Sequence, residues 1–395
     1  MMPTKKMNIL YRQLHLSIVL FFVSLAAHAQ FTLVANHPEA RAYYPTNDDG
    51  VGSPRGRYIN VLRNFQNRVY IGFGGDNAET IFGGYLPLAI RYLDENDQLS
   101  VPQGALLSQE MDQMEVFQGS LWIPAEDYEG DEYRKCDFLF CQQGLFRLPE
   151  RASHVYQVAE YNGSIYMVGS IGFFPNCDGA VWKSSNGGNS WSISLRLPVV
   201  DINPELSCGR IGLIGVTDNR LFIQPYQFEN IIIDGEIGAA FEFELLPDVY
   251  QLDQNEWSKL SSNITLQEIG FGGRSVSYLG KMVFIDRGYA GGGRLVAFDG
   301  STKTIITSGV ISYTVFGGQL YVLLNDWSVR RTDDLSRFEF LVSGAPSNSI
   351  SMEIANGAVY VGTTNGQIFK SLLPVPSPVK FIRYKNYLIP IPAES

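Results

Sequence analysis

The sequence has few charged residues, few cysteines and few histidines. Only 18% of its 395 residues are charged, and it contains four Cys and four His. So few charges exclude a coiled coil or a long exposed helix, while an apolar content of 45% excludes a disordered chain. Basic residues are outnumbered 30 to 40, and the net charge of −10 argues against nucleic acid or an anionic membrane as a partner.

Long apolar runs are also missing, apart from one near the start. Residues 16–27 (LSIVLFFVSLAA) follow three basic residues and end at Ala27-His28-Ala29, the small-x-small pattern of a signal peptidase site. The run is too short for a relaxed membrane span. We therefore predict a cleaved secretory signal at residues 1–29, a mature charge of −10 − 3 = −13, no membrane span after cleavage, and a secreted, extracellular or periplasmic protein.

The four cysteines fit an oxidising compartment. Four cysteines allow three pairings, and we favour Cys136 with Cys141 and Cys177 with Cys208, which close a short and a longer loop. A zinc site would need CxxC spacing or nearby histidines. We expect two structural disulfides, no metal and no cofactor.

A tight-turn signal followed by a short β-rich run recurs along the chain. Asn-Gly, Gly-Gly and related pairs favour the positive φ angles of a two-residue hairpin, and the runs after them alternate β-branched and aromatic residues. The seven turn pairs stand at residues 66–67, 118–119, 162–163, 218–219, 279–280, 317–318 and 356–357.

A second β-rich run follows each hairpin and ends near a polar turn. These runs lie at residues 88–99, 144–153, 180–191, 248–257, 294–303, 328–338 and 367–374. Their alternation with the hairpins predicts an all-β chain, a seven-bladed β-propeller of four-stranded antiparallel blades, because radial stacking covers both faces of every sheet. Two β-sandwich domains are the alternative.

The repeats set the domain limits. We expect one domain at residues 30–395, with clear repeats over 65–373 and a C-terminal strap at 374–395. A strand from residues 31–34 or from residues 379–384 should complete a terminal blade, and the sequence does not decide which.

One turn resembles a known motif. Residues 183–191 (KSSNGGNSW) are similar to the Asp-box, or bacterial neuraminidase repeat (BNR), Ser-x-Asp-x-Gly-x-x-Trp, with Ser184, Gly188 and Trp191 in place and Asn186 where the family has Asp. Asp333 and Phe338 resemble a second, weaker copy. The resemblance implies a sialidase-like propeller, related to the WD40/YVTN-like folds, in which the motif forms the turn between the third and fourth strands of a blade.

The same resemblance raises a glycoside hydrolase of exo-sialidase type as the alternative function. Such an enzyme needs an arginine cluster, a Tyr-Glu pair and an Asp acid. The candidates are Arg147, in a segment (FRLP) that resembles the family's first arginine motif, and Asp178. Arg147 also fits the series of blade strands, so we identify no catalytic set.

The spacing of the repeats points to a binding protein. The step between Phe222 and Val283 swells to 61 residues, and insertions in a propeller emerge as loops on one face. We expect a monomeric binding or scaffold protein that holds a protein or carbohydrate on a loop-bearing face. The candidate binding residues are Tyr226, Phe228, Asp234 and Glu236, and the insertion could equally be a lengthened hairpin.

Overall fold

The computed structural model describes residues 30–39, 58–74, 87–108, 110–125, 133–137, 141, 148–172, 177–198, 207–233, 236–245, 248–260, 264–266, 274–286, 293–374, 381–384 and 387–390. These residues build an all-β protein of thirty strands. The predicted signal at residues 1–29 lies outside the described residues.

The first strands of the chain belong to three small sheets and to the edge of a fourth. After β1 (Thr32–Asn36), the strands β2, β3 and β5 form sheet 1, the strands β4 and β6 pair beside it, and the strands β7, β8 and β9 form sheet 2. Their bounds are β2 (Tyr58–Phe65), β3 (Arg68–Gly74), β4 (Pro87–Ala89), β5 (Arg91–Leu93), β6 (Ala105–Leu107), β7 (Glu115–Phe117), β8 (Ser120–Pro124) and β9 (Tyr133–Cys136).

Two larger sheets follow. Sheet 3 has the order β10-β11-β12-β13, and sheet 4 has the order β14-β15-β17-β18, with β16 paired to the far end of β15. The bounds are β10 (Ala152–Tyr161), β11 (Ser164–Ile171), β12 (Asp178–Ser184), β13 (Ser192–Leu197), β14 (Ser207–Val216), β15 (Leu221–Ile233), β16 (Glu236–Leu245), β17 (Tyr250–Asp253) and β18 (Glu256–Lys259).

The remaining strands form a continuous seven-stranded ladder and a last sheet. Strands β19 to β25 pair in sequence order, and sheet 7 has the order β1-β28-β27-β26. The bounds are β19 (Ser275–Tyr278), β20 (Lys281–Asp286), β21 (Gly293–Phe298), β22 (Lys303–Phe316), β23 (Gln319–Leu324), β24 (Val329–Thr332), β25 (Glu339–Val342), β26 (Ser349–Ala355), β27 (Ala358–Thr363), β28 (Gln367–Leu372), β29 (Phe381–Tyr384) and β30 (Tyr387–Pro390).

Strand β22 divides the seven-stranded ladder into two parts. Its first half pairs with β21, its second half pairs with β23, and Gly309 lies between them at φ 73°. A strand inside one flat sheet would pair with both neighbours over the same residues. We call the part before Gly309 sheet 5 and the part after it sheet 6.

All seven predicted hairpins are confirmed. Each predicted turn pair joins two adjacent antiparallel strands, for example Asn162-Gly163 between β10 and β11. In six of the seven turns both residues have positive φ, as at Asn162 (48°) and Gly163 (69°). That conformation is the one in which the turn matches the right-handed twist of the flanking strands.

One predicted strand is wrong. The third strand of sheet 2 is β9, which pairs with β8, and not the segment at residues 144–153. Ala152 and Ser153 instead begin β10, the first strand of sheet 3. Residues 146 and 147 of the FRLP segment lie outside the described residues. The prediction failed because an apolar run between polar turns looks the same in any strand of a sheet.

The sheets pack face to face in chain order, and the order closes on itself. Apolar clusters join each sheet to the next, through Trp122 and Met167 for sheets 2 and 3 and through Leu213 and Met282 for sheets 4 and 5. Further clusters join sheets 3 and 4, 5 and 6, and 6 and 7. A last cluster contains Tyr360 of sheet 7 together with residues of sheets 1 and 2. Each sheet therefore has both faces covered.

The strand that completes sheet 7 comes from the beginning of the chain. Strand β1 pairs antiparallel with β28, with Thr32 opposite Lys370 and Asn36 opposite Gln367. The side chain of Phe31 is buried between sheets 6 and 7. The C-terminal strands β29 and β30 pair with each other. The N-terminal segment, rather than residues 379–384, thus supplies the closing strand.

Candidate functional site

The connections between strands differ strongly between the two ends of the sheets. The strands of a sheet alternate in direction, so the connections from second to third strand and from one sheet to the next lie at one end. The strand ends that flank the longer connections lie there, such as the end of β18 with the start of β19 and the end of β20 with the start of β21, whereas the seven two-residue turns lie at the opposite end. We call the two ends the loop-bearing face and the tight-turn face.

The first strands of the sheets meet at the centre, where polar side chains join one strand to the next. The Gln157 amide donates to Gly212 O (2.8 Å) and accepts from Ile214 N (3.2 Å). Ser351 donates to Ile59 O at 2.6 Å, and Asn64 donates to Ile354 O at 3.1 Å. An inner edge of a sheet would otherwise leave backbone groups unpaired.

Four charged side chains form a network at this centre. Arg63 on β2 donates to Glu115 on β7 at 2.5 Å, and Arg274, just before β19, donates to the other oxygen of Glu115 at 2.6 Å. Arg63 also lies 3.6 Å from Glu353 on β26, whose second oxygen accepts from Thr314 at 2.9 Å. The network thus links sheets 1, 2, 5, 6 and 7.

The network is buried. Glu353 is 2% exposed and Glu115 is 7% exposed. Burial raises the pKa of Glu115 to about 7, while Arg63 lowers it and Glu353 raises it. Burial also raises the pKa of Glu353. Each arginine donates one hydrogen bond to Glu115, while Arg274 Nη2 and Glu353 Oε2 are buried without a hydrogen-bond partner among the described residues.

This network was not predicted, although the sequence contains a signal for it. Arg63, Glu115, Thr314 and Glu353 each stand three residues before a predicted hairpin pair, at 66 − 3, 118 − 3, 317 − 3 and 356 − 3. A polar residue three positions before the turn, in a first strand that is otherwise apolar, therefore marks a position at the centre, where the first strands meet. Only the closed arrangement shows that these positions meet.

The exo-sialidase candidates are not brought together among the described residues. Arg147 lies outside the described residues. Asp178 begins β12, and its carboxylate accepts from Arg196 on the neighbouring strand at 2.6 Å. Of the described arginines on or beside the first strands, Arg63 and Arg274 bond to Glu115. Arg210 on β14 donates to Tyr156 at 2.5 Å and lies 3.1 Å from His154 Nε2. Among the described residues no group of three or more His, Cys, Asp or Glu could hold a metal ion.

The Asp-box-like segment forms the turn between β12 and β13. Ser184 Oγ accepts from Gly188 N at 2.8 Å, and Asn186 Oδ1 accepts from Ser190 N at 2.9 Å. Gly188 has φ 89°, and a Cβ there would lie 2.5 Å from the Trp122 ring of sheet 2. Trp191 donates its indole N–H to Tyr133 at 2.9 Å. The turn therefore fastens sheet 3 to sheet 2.

The second Asp-box-like copy has a different register from the one predicted. In the turn between β24 and β25, Asp334 rather than Asp333 accepts from the backbone, from Ser336 N at 2.8 Å and Arg337 N at 2.9 Å. Thr332 accepts from Leu335 N at 3.0 Å, as Ser184 accepts in the first turn. These bonds hold the pKa of Asp334 well below its usual range. Phe338 packs against the core between sheets 5 and 6.

The predicted binding residues fall on one long hairpin. Tyr226 lies on β15 with 2% exposure, and its ring is 6.2 Å from that of Tyr156. Phe228 continues β15, and Glu236 begins β16, opposite Ile233. Asp234 lies outside the described residues. The long repeat is thus a lengthened hairpin, the alternative considered from the sequence, and Tyr226 is a core residue.

The cysteines form the two favoured disulfides. Cys136 is joined to Cys141, and Cys177 to Cys208. The second links the start of sheet 3's third strand to the start of β14 in sheet 4, near the loop-bearing face. Two disulfides indicate an oxidising compartment. No helix among the described residues is long and apolar enough to cross a membrane.

Comparisons with known proteins give structural similarity alone. No family model matches the chain, and no curated protein matches it. The structure is similar to virginiamycin B lyase from Staphylococcus aureus (TM-score 0.49, 12% identity, covering 87% of this chain and 100% of that chain). It is also similar to the WD40 β-propeller domain of Doa1 (0.46, 11%, 87% and 97%) and to BamB from Moraxella catarrhalis (0.39, 11%, 87% and 99%). None of these similarities assigns an activity to the chain.

Proposed function

We propose that this chain is a secreted seven-bladed β-propeller of four-stranded blades, related to the Asp-box proteins, that binds a protein or a glycan on its loop-bearing face. The observation that carries the proposal is the asymmetry of the connections. The tight-turn face consists largely of two-residue hairpins, whereas the long connections gather at the other end. Propellers commonly use such loops for recognition.

The closed interior supports a binding role over a catalytic one. At the centre, Arg63 and Arg274 both bond to Glu115, and Arg63 also lies 3.6 Å from Glu353. A hydrolase of the sialidase type would need arginines available to a substrate carboxylate. A partner that approaches the loop-bearing face needs no such residues. The disulfides support function outside the cytoplasm.

The test compares two matched surface variants of the mature protein. Ser347 is exposed in the connection between sheets 6 and 7, on the loop-bearing face, and Asn219 is exposed in a hairpin of the tight-turn face. Ser347→Arg and Asn219→Arg add the same charge and bulk. Each variant is applied to a glycan array and used in pull-downs from culture medium, and fluorogenic glycosides are included for hydrolysis.

We expect the wild type and Asn219→Arg to bind the same partner and Ser347→Arg not to bind it. Binding that Asn219→Arg abolishes and Ser347→Arg leaves intact would move the site to the tight-turn face. Turnover of a sialoside would replace the binding proposal with the exo-sialidase alternative.

A further inference from the structure

The turn between β23 and β24 places the bulkiest side chain where the backbone favours glycine. Trp327 N donates to Leu324 O at 2.9 Å, and Leu324 N donates to Ser328 O at 2.9 Å. This three-residue turn ends with Trp327 at φ 62°. In such turns the last residue is left-handed and is usually glycine, because a Cβ there is strained.

The corresponding turn of the next sheet has the usual residue. Between β27 and β28, Gly366 N donates to Thr363 O at 3.4 Å, and Gly366 has φ 75°. The same hydrogen bond and the same backbone conformation thus occur with glycine one sheet further on. The turn itself does not require a tryptophan, and strain kept in a structure points to a role for the residue.

Trp327 also differs from the other tryptophans in its hydrogen bonding. The chain has five Trp, and four donate their indole N–H to the protein: Trp122 to Phe117 O, Trp182 to Pro149 O, Trp191 to Tyr133 and Trp257 to Ser194. The indole N–H of Trp327 has no acceptor among the residues that the structure describes. Its ring packs against the cluster between sheets 6 and 7 and is partly buried.

The surroundings of Trp327 are polar and close to neutral. The turn lies on the loop-bearing face, and the adjacent Asn325 and Asp326 are exposed. The Asp326 carboxylate accepts from Ser328 N at 3.0 Å and from Arg330 at 3.0 Å, so its charge is already paired. The net charge of −10 disfavours anionic ligands at this surface.

We propose that Trp327 is a recognition residue for a neutral glycan. The part of the indole ring that remains accessible to solvent stacks on the apolar face of a pyranose ring, and the indole N–H donates to a sugar hydroxyl. A pyranose offers both an apolar face and hydroxyl acceptors, which suits an aromatic ring set among polar neighbours. This inference rests on the proposed function and narrows its partner to one chemical class.

The test is calorimetric titration of the mature protein with cellohexaose, xylohexaose and mannohexaose. Three variants are compared. Trp327→Gly introduces the residue that Gly366 supplies in the corresponding turn of the next sheet. Trp327→Phe keeps an aromatic ring without the N–H. Trp257→Phe is the control, because the indole N–H of Trp257 is bonded within the protein. We expect wild type and Trp257→Phe to bind one hexaose equally.

Trp327→Gly should weaken that binding by about tenfold or more, since a stacking contact and a hydrogen bond are lost together. The affinity of Trp327→Phe should lie between those of the wild type and Trp327→Gly. Thermal melting separates this role from a structural one. A Trp327→Gly protein that melts much lower but binds the hexaose as wild type does would overturn the inference.

The failure of this inference is distinguishable from failure of the proposed function. Suppose that none of the hexaoses binds, but the wild type binds a partner from the array or pull-down and Ser347→Arg does not. The assignment of a neutral glycan is then wrong, and the binding site on the loop-bearing face is still supported. If that partner is instead lost in Asn219→Arg, the proposed function fails as well.

Discussion

At the scale of single residues, the buried ion pairs at the centre should contribute more to the free energy of unfolding than the exposed ion pairs. Glu115 receives hydrogen bonds from two arginines on different sheets, and its removal would leave both guanidinium groups without their closest carboxylate. An uncompensated buried charge destabilises a protein far more than the loss of a surface ion pair.

We therefore expect Glu115→Ala to lower the free energy of unfolding by about 3 kcal/mol. Arg196→Ala is the control, because Arg196 pairs with Asp178 and Glu150 while 48% exposed, and it should cost less than about 1 kcal/mol. Urea denaturation followed by fluorescence measures both. Equal costs for the two variants would show that the central network contributes little.

A second prediction for a single residue concerns the stability of the protein at acidic pH. His37 is fully buried beside Glu39 and Phe73, and burial lowers its pKa to about 4, with Glu39 raising it and Arg91 lowering it. The unfolded histidine, with a pKa near 6.5, binds a proton that the folded one does not. The contribution of His37 is thus complete above pH 6.5 and is lost as the pH falls toward 4.

We expect the free energy of unfolding to fall between pH 6.5 and pH 4 by roughly 3 kcal/mol more in the wild type than in His37→Gln. Urea titrations at half-unit steps of pH measure the difference. Parallel profiles for the two proteins would exclude His37 as the cause.

At the scale of elements, local chemistry determines what the sequence can predict. The hairpins were predictable because Asn-Gly and Gly-Gly pairs favour positive φ wherever they occur. The third strand of sheet 2 was not, since residues 133–136 (YRKC) contain no apolar run and only their pairing with β8 identifies them as a strand. The closing strand β1 and the meeting of Arg63 with Glu115 depend on contacts distant in sequence, which no local pattern encodes.

The Asp-box-like turn offers a test at this scale. Gly188 and Gly163 both have positive φ, but a Cβ at Gly188 would lie 2.5 Å from Trp122, whereas nothing lies within 4 Å at Gly163. Gly163→Ala should cost about 1 kcal/mol through backbone strain alone. Gly188→Ala should cost about 2 kcal/mol more, because Trp122 must also move.

Thermal unfolding of both alanine variants measures the difference. Equal costs would show that the turn does not fasten sheet 3 to sheet 2 through the Trp122 contact. Trp122→Phe in the Gly188→Ala background should then recover no stability, whereas the contact predicts partial recovery.

At the scale of the whole molecule, closure depends on one short strand. Strand β1 supplies the outer strand of sheet 7, and the segment after it reaches sheet 1, where Glu39 accepts from Arg91 at 3.0 Å. Removal of this segment would leave β28 as an exposed edge and uncover part of the core around Phe31.

We expect a chain that lacks residues 30–39 to melt at a lower temperature and to associate in solution. A synthetic peptide of residues 30–39, added in excess, should raise the melting temperature again in a concentration-dependent way. A truncated chain that melts as the full chain does would show that β1 is dispensable.

The large sequence separation between β1 and β28 also determines when their pairing can form during synthesis. Thr32 and Lys370 are 338 residues apart, so on a ribosome the first strand of the fold is synthesised long before its partner. Until β28 appears, β1 must stay unpaired and unaggregated, and contacts of such long range slow folding. Docking of β1 onto β28 therefore has to wait until residues 367–372 have been synthesised, so another strand could pair with the edge of β28 before β1 does.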